Sequence, residues 1–201
     1  CFVHRMADCA PAASCSAKIH VLPDDVVSRI AAGEVIERPA AVVKELLENS
    51  LDAGGLHITV DVKDGGLALI RVTDDGEGIS RADLPRAFER HATSKLRSDR
   101  DLASVTTMGF RGEALPSIAS VSHVLVATAA RQDAVGSQIS LVAGAGGPIV
   151  DVSPVPGTRV DVSNLFFNHP ARKKFLKSAT TEFSHISHVV QLAGLAWPSV
   201  H

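Results

Sequence analysis

Apolar positions recur along the chain with two different periods, and the switches between them divide it into elements. Val42, Val43, Leu46, Leu47 and Leu51 fall on one face at helical spacing. They predict a helix from Pro39 to about Leu51, opened by a proline whose missing N–H costs little in a first turn and ended at Gly54-Gly55. Upstream, residues 19–23 read as a short strand, and Asp24-Asp25 offer N-cap chemistry for a helix over 26–32 that stops at Gly33. The pattern then changes to alternation. Two strands, 57–62 and 67–73, joined across Asp64-Gly65-Gly66, form a hairpin signal. Ser80 and Asp83 resemble a capping box before a short helix toward Phe88. From His91 to Phe110 the chain is polar with little period, and loops of that length are usually functional. Gly112 opens another helix. Strands follow at 122–129, 137–142, 149–152 and 158–162, with a turn at 143–147, and then helices at 170–177 and 181–196. This order predicts an α/β two-layer sandwich, a mixed sheet with helices on one face.

Composition narrows the partners. Apolar residues make up 45% and charged residues 21%, as in an ordinary globular chain. Aromatics are 4%, with no Tyr and one Trp, so stacking platforms for single-stranded nucleic acid are not advertised. The net charge of −2 leaves any DNA contact to a local patch or to other sequence. Arg172, Lys173, Lys174 and Lys177 form a basic run, read first as a solvated helix face. Cys1, Cys9 and Cys15 form no CxxC, which argues against a disulfide framework or zinc site and fits a reducing compartment. No apolar run approaches a membrane span. Residues 1–18 carry Asp8 and Pro11 and lack a continuous apolar stretch, so they read as a mobile arm before a domain at 19–201, not as a signal peptide; Met6 is a candidate start.

Four short patterns carry possible chemistry. Glu45 and Asn49 stand at i and i+4 on the predicted helix, sharing a face distinct from the apolar one; alone, the pair reads equally as a solvated polar face. Asp74-Asp-Gly76-Glu-Gly78 follows a strand. An ionised carboxylate only accepts hydrogen bonds and so suits an amino group, while glycines let backbone approach a flat ligand; alone, the pattern reads first as a tight turn. Thr93, Ser94 and Lys95, followed by Gly109-Phe-Arg111-Gly112-Glu113-Ala114-Leu115, set hydroxyls, cations and glycines before a helix N-terminus, a combination that attracts phosphate. Pro156-Gly157-Thr158 opens a strand. There is no GxxxxGK[ST] and no GxGxxG after a strand, no Ser/His/Asp arrangement, and no HExxH.

In this order the four patterns resemble the Bergerat fold of gyrase B, ninety-kilodalton heat-shock chaperones, histidine kinases and MutL. The runs RIAAGEVIERP (29–39), KELLENSLDAG (44–54), RHATSK (90–95), GFRGEAL (109–115) and LFFNHPARKKF (165–175) resemble the MutL family of DNA mismatch-repair proteins, and the likeness covers about residues 19–200. His169 departs from the small polar residue common there, outside the nucleotide motifs. The resemblance implies a mostly antiparallel sheet and an ATPase using ATP and Mg²⁺. In it Glu45 is the general base and Asn49 the magnesium ligand, and Asp74 accepts from the adenine amino group. Gly76 and Gly78 let backbone pass close to the nucleotide. Thr93, Ser94, Lys95, Arg111, Gly112, Glu113, Ala114 and Leu115 line the phosphates and form a lid, Thr158 supports the adenine end, and Asp52 orients its neighbours.

The same resemblance implies a slow switch. ATP orders the lid and the N-terminal arm, two copies associate through that region, and hydrolysis releases them. It implies a MutS-type mismatch-recognition partner, a cytoplasmic or, in a eukaryote, nuclear location, and no membrane. A following domain would supply a lysine to the γ-phosphate and most of the DNA surface, so this chain is expected to bind nucleotide but to fall short of full turnover alone. Two other readings stay open. One is an interaction module in which hydrolysis only resets partner recruitment. The other is a type II topoisomerase subunit, which would lack the GFRGEAL and FFNxPAR runs.

Overall fold

The computed structural model describes residues 35–93 and 112–201. The expected strand at 19–23, the helix at 26–32, and Ser94, Lys95 and Arg111 lie outside them. Among the described residues, helix α1 (Pro39–Asp52) opens with its proline in the first turn and buries Val42, Val43, Leu46 and Leu47, as the periodicity requires. Strands β1 (Ile58–Lys63) and β2 (Leu69–Asp74) form the hairpin, across a 3₁₀ turn at Asp64–Gly66. Helix α2 (Ala114–Ser120) precedes β3 (His123–Ala129) and β4 (Gly136–Val142). The short strands β5 (Ala145–Gly146) and β6 (Val150–Val152) come next, then β7 (Gly157–Ser163), α3 (Pro170–Phe175) and α4 (Ala179–Ala196).

The strand order is β1-β2-β7-β3-β4-β5, with β6 also on β4. The seven named strands pair antiparallel throughout, and among the described residues a parallel pairing occurs only as an isolated bridge between Ala129 and Pro156. The sheet is thus less mixed than the element order suggests. Helices cover one face. Val42, Val43 and Leu46 of α1, Ile118 of α2 and Ile186 of α4 share a core with Ile70 and Val72 of β2, Val124 and Val126 of β3 and Val160 and Val162 of β7. These strand residues lie in register as two rows, Ile70–Val162–Val124 and Val72–Val160–Val126, so alternation along each strand becomes a continuous apolar surface across three.

On the opposite face, Asp161 of β7 is clamped by two arginines. Its Oδ1 accepts from Arg71 Nε at 2.7 Å and Arg159 Nε at 3.0 Å, and its Oδ2 from an Nη of Arg71 at 2.8 Å and of Arg159 at 2.7 Å. Burial pushes this carboxyl up, but the bonds and charges of Arg159 and Arg71 outweigh it and bring the pKa to about 2.

Three local expectations are corrected. Ser80 and Asp83 do bond as a cap, Asp83 N to Ser80 Oγ at 3.2 Å, but the segment becomes turns and a 3₁₀ helix at Arg86–Phe88. Pro85 has no N–H to continue an α ladder. Part of the turn at 143–147 is strand β5. Helix α3 stops at Phe175, not 177, and α4 begins at Ala179, not 181. Ser178 Oγ caps Thr181 N at 3.3 Å while Lys177 N donates to the buried Glu182 Oε1 at 3.0 Å, which holds 176–178 extended between the helices.

Candidate nucleotide site

The two apolar rows of the core end in a third row that is polar. In register beyond Val72, Val160 and Val126 stand Asp74, Thr158 and Thr128, all buried. A buried polar row is costly unless bonded, and here it is bonded throughout. Asp74 is only 7% exposed, and it accepts from Ser50 Oγ at 2.8 Å on Oδ2 and from Gly76 N at 3.0 Å and Thr158 N at 3.2 Å on Oδ1. Thr128 Oγ1 donates to Gly157 O at 2.9 Å, lies 3.0 Å from Thr158 Oγ1 and accepts from Ile79 N at 2.9 Å.

Burial pushes the Asp74 carboxyl above the usual carboxylate range. Its bonds from Ser50, Gly76 and Thr158 offset part of the rise, and the neighbouring Asp75 charge adds to it. All three donors are neutral. An ionised carboxylate offers roughly four acceptor sites, and three are used. Oδ2, with Ser50 alone, keeps capacity for one further donor.

Gly78 of the expected site and Gly157, the neighbour of Thr158, are required by close approach of the protein to itself. Gly78 has φ +73°, and a Cβ there would sit 2.0 Å from Ala129 O; Gly157 has φ +75°, and a Cβ would sit 2.2 Å from Asp74 O. The loop after β2 and the start of β7 therefore close over the strand ends that carry Asp74 and Thr158.

Glu45 and Asn49 are partly exposed on α1, off the buried face of Val42 and Leu46. The ammonium of Lys44 lies between two acids, at 2.7 Å from Glu48 and 3.8 Å from Glu45, so Glu48 is its main partner. Helix α1 is tied to the polar row through Ser50, the residue after Asn49. The two described ends flanking residues 94–111 also meet. His91 Nδ1 is 3.4 Å from Glu113 Oε1, and Gly112 packs its backbone against Ala92. This brings residues 91–92 beside Gly112 and Glu113.

Of the residues expected from sequence, Asp74, Gly76 and Thr158 form one hydrogen-bonded unit. Ser50, the chain neighbour of Asn49, bonds to it, and Gly78 lies on the loop that follows Asp74. Sequence reading missed Ser50, Thr128 and Asp75. Ser50 and Thr128 carry no local signal, because a serine in a helix and a threonine in a strand are ordinary; only the packing of α1 and β3 makes them partners of this site. A shallow apolar crevice lined by Leu47, Leu51, Val190 and Trp197 lies elsewhere, between α1 and α4, and contains none of the expected site residues. Among the described residues there is no cluster of three His, Cys, Asp or Glu for a metal, and no helix long and apolar enough to cross a membrane.

Residues 37–145 match the family described as histidine kinase-, DNA gyrase B-, and HSP90-like ATPase. The chain is 54% identical over 183 residues to the DNA mismatch repair protein MutL of Anaeromyxobacter sp. (strain K), covering 91% of this chain and 30% of that protein. It is 52% identical over 182 residues to MutL of Akkermansia muciniphila, covering 90% and 29%. Its fold is similar to the Aquifex aeolicus MutL ATPase domain complexed with ADP, with a TM-score of 0.68 at 35% identity, over 83% of this chain and 58% of that one. The chain thus spans about 30% of the length of the curated relatives it matches. The described sheet and its helices have the same fold as these ATPase domains, and the chain belongs to the histidine kinase-, DNA gyrase B-, and HSP90-like ATPase family, as a MutL-type N-terminal ATPase region.

Proposed function

We propose that this chain binds Mg–ATP at the polar end of its sheet and supplies the base and the metal ligand for slow hydrolysis. The observation that carries this reading is Asp74, a buried carboxylate held by three neutral donors with acceptor capacity left on Oδ2. Adenine presents a matching amino donor. Gly76 and Thr158 hold the acceptor in place, and Gly78 closes the loop beside it. Asn49, one turn beyond Glu45, offers a neutral hard oxygen of the kind Mg²⁺ accepts; that ion commonly takes its other ligands from phosphates and water, so a single protein ligand suffices. When bound, Mg²⁺ neutralises phosphate charge.

Glu45 takes the proton of the attacking water. Thr93, Ser94 and Lys95 with Arg111, Gly112, Glu113, Ala114 and Leu115 bind the phosphates. The meeting of residues 91–92 with 112–113 supports a lid closing from one anchored base. In the whole protein, binding acts as a conformational and dimerisation switch in mismatch repair, with a MutS-type protein as the upstream partner and DNA contacted mainly by regions beyond this one. The MutL relatives and the ADP complex of the Aquifex domain support this assignment. The test is calorimetric titration with Mg–ATP and ADP. The wild-type chain binds both and Asp74→Ala binds neither comparably; equal affinity in the two proteins rejects the site.

A further inference from the structure

Asp75, the residue after Asp74, has a bonding role of its own. Its Oδ1 accepts from two consecutive backbone amides, Leu56 N at 2.7 Å and His57 N at 2.9 Å, and its Oδ2 is 2.8 Å from His57 Nδ1. The two amides and the ring hold this carboxyl well below the usual carboxylate range, so it is ionised across the neutral range. The amides belong to the turn between α1 and β1. The same loop returns to that turn a second time, because Glu77 N donates to Ala53 O at 2.9 Å. The loop bearing Asp74 is thus stitched at two points to the chain leaving α1, the helix that carries Glu45, Asn49 and Ser50.

We propose that Asp75 is a positioning residue for nucleotide recognition. It fixes where the Asp74 carboxylate stands relative to α1, and so sets the preference for a base bearing an amino group. It touches no nucleotide itself. The proposal rests on the reading that Asp74 accepts from the adenine amino group.

The test compares ADP with inosine 5′-diphosphate, which lacks that amino group, by calorimetry on the intact chain with Mg²⁺. Loss of stability alone weakens both ligands alike and leaves their ratio unchanged. Wild type prefers ADP by about tenfold or more, since inosine leaves a buried acceptor without its donor. Asp75→Ala brings the ratio to within about threefold of unity, whereas Asp75→Asn, whose side-chain oxygen still accepts from both amides, keeps it near the wild-type value. Asp75→Glu retains charge and acceptors but displaces the loop by one methylene, so it also loses the preference, and it serves where Asp75→Ala does not fold. Full preference in Asp75→Ala, or in Asp75→Glu where that variant serves, overturns the positioning role. A wild-type chain that binds both diphosphates equally removes the reading of Asp74, and this proposal with it.

Discussion

Two carboxylates on adjacent strands of one sheet are held in contrasting ways. Asp74 lies at the end of β2 on the helix-covered face; Asp161 lies on β7 on the other. Asp161 accepts four bonds from two guanidiniums and has no acceptor capacity left. Its charge is matched on the spot, and its pKa falls to about 2. Asp74 accepts three bonds from neutral donors, keeps one site, and its pKa is raised by burial that no cation among the described residues offsets. The first arrangement stabilises a sheet face. The second is held in shape yet left electrostatically unsatisfied, the condition in which an incoming donor gains most.

If the helix-covered face is the working one, the largest effect belongs to Glu45. Glu45→Ala lowers turnover by about 10²–10⁴-fold, measured by phosphate release in a protein that also carries the region following this one in the relatives, while ADP affinity stays within about twofold. Unchanged turnover removes Glu45 as the base. Next, Asp74→Ala weakens ADP by roughly 10–100-fold, the loss of a hydrogen bond to a charged acceptor. Asp161→Ala leaves ADP affinity within about twofold, and equal losses in the two variants erase the contrast between the faces. Third, Asp161→Asn lowers stability at pH 7 by about 1–2 kcal/mol in urea unfolding, since its partners are partly exposed arginines.

The smallest effect is a difference in sign. Asp161 is depressed from an unfolded value of about 3.9, so its contribution to stability is present above that pH and lost as pH falls from about 4 to about 2. Asp74 is raised, so it favours the fold when protonated, below its unfolded value, and this contribution is lost as pH rises through its folded value. Urea melts across pH 2–7 therefore show Asp161→Asn flattening the acid-side loss and Asp74→Asn flattening the change of opposite slope. Matching slopes in both variants contradict the assignment.

Much of the fold was legible because its signals are local. The spacing of Val42, Val43, Leu46 and Leu47 defined α1 and turned Glu45 and Asn49 away from the core, and alternation with Asp64-Gly65-Gly66 located the β1–β2 hairpin. Local reading failed where a neighbouring element competes. Pro85 broke a helix that Ser80 had capped, and Ser178 with Glu182 moved the junction between α3 and α4. Asp74, Gly76, Gly78 and Thr158 were legible as motifs, though as short patterns their chemistry rested on family resemblance.

The sequence by itself determined which residue types stand at the ends of the strands and on the outer face of α1, since these follow from periods of 3.6 and 2. Only the tertiary structure decided that Asp74 meets Ser50 at a separation of 24 residues and Thr158 at 84, and that Asp161 meets Arg71 at 90. Those meetings depend on β7 entering the sheet between β2 and β3 and on α1 packing over β2. Strand order is set by burying apolar rows from distant segments together, and no window of local sequence contains that information. The same step sets the two carboxylates apart, one under the helices with a site to spare and one on the open face with none.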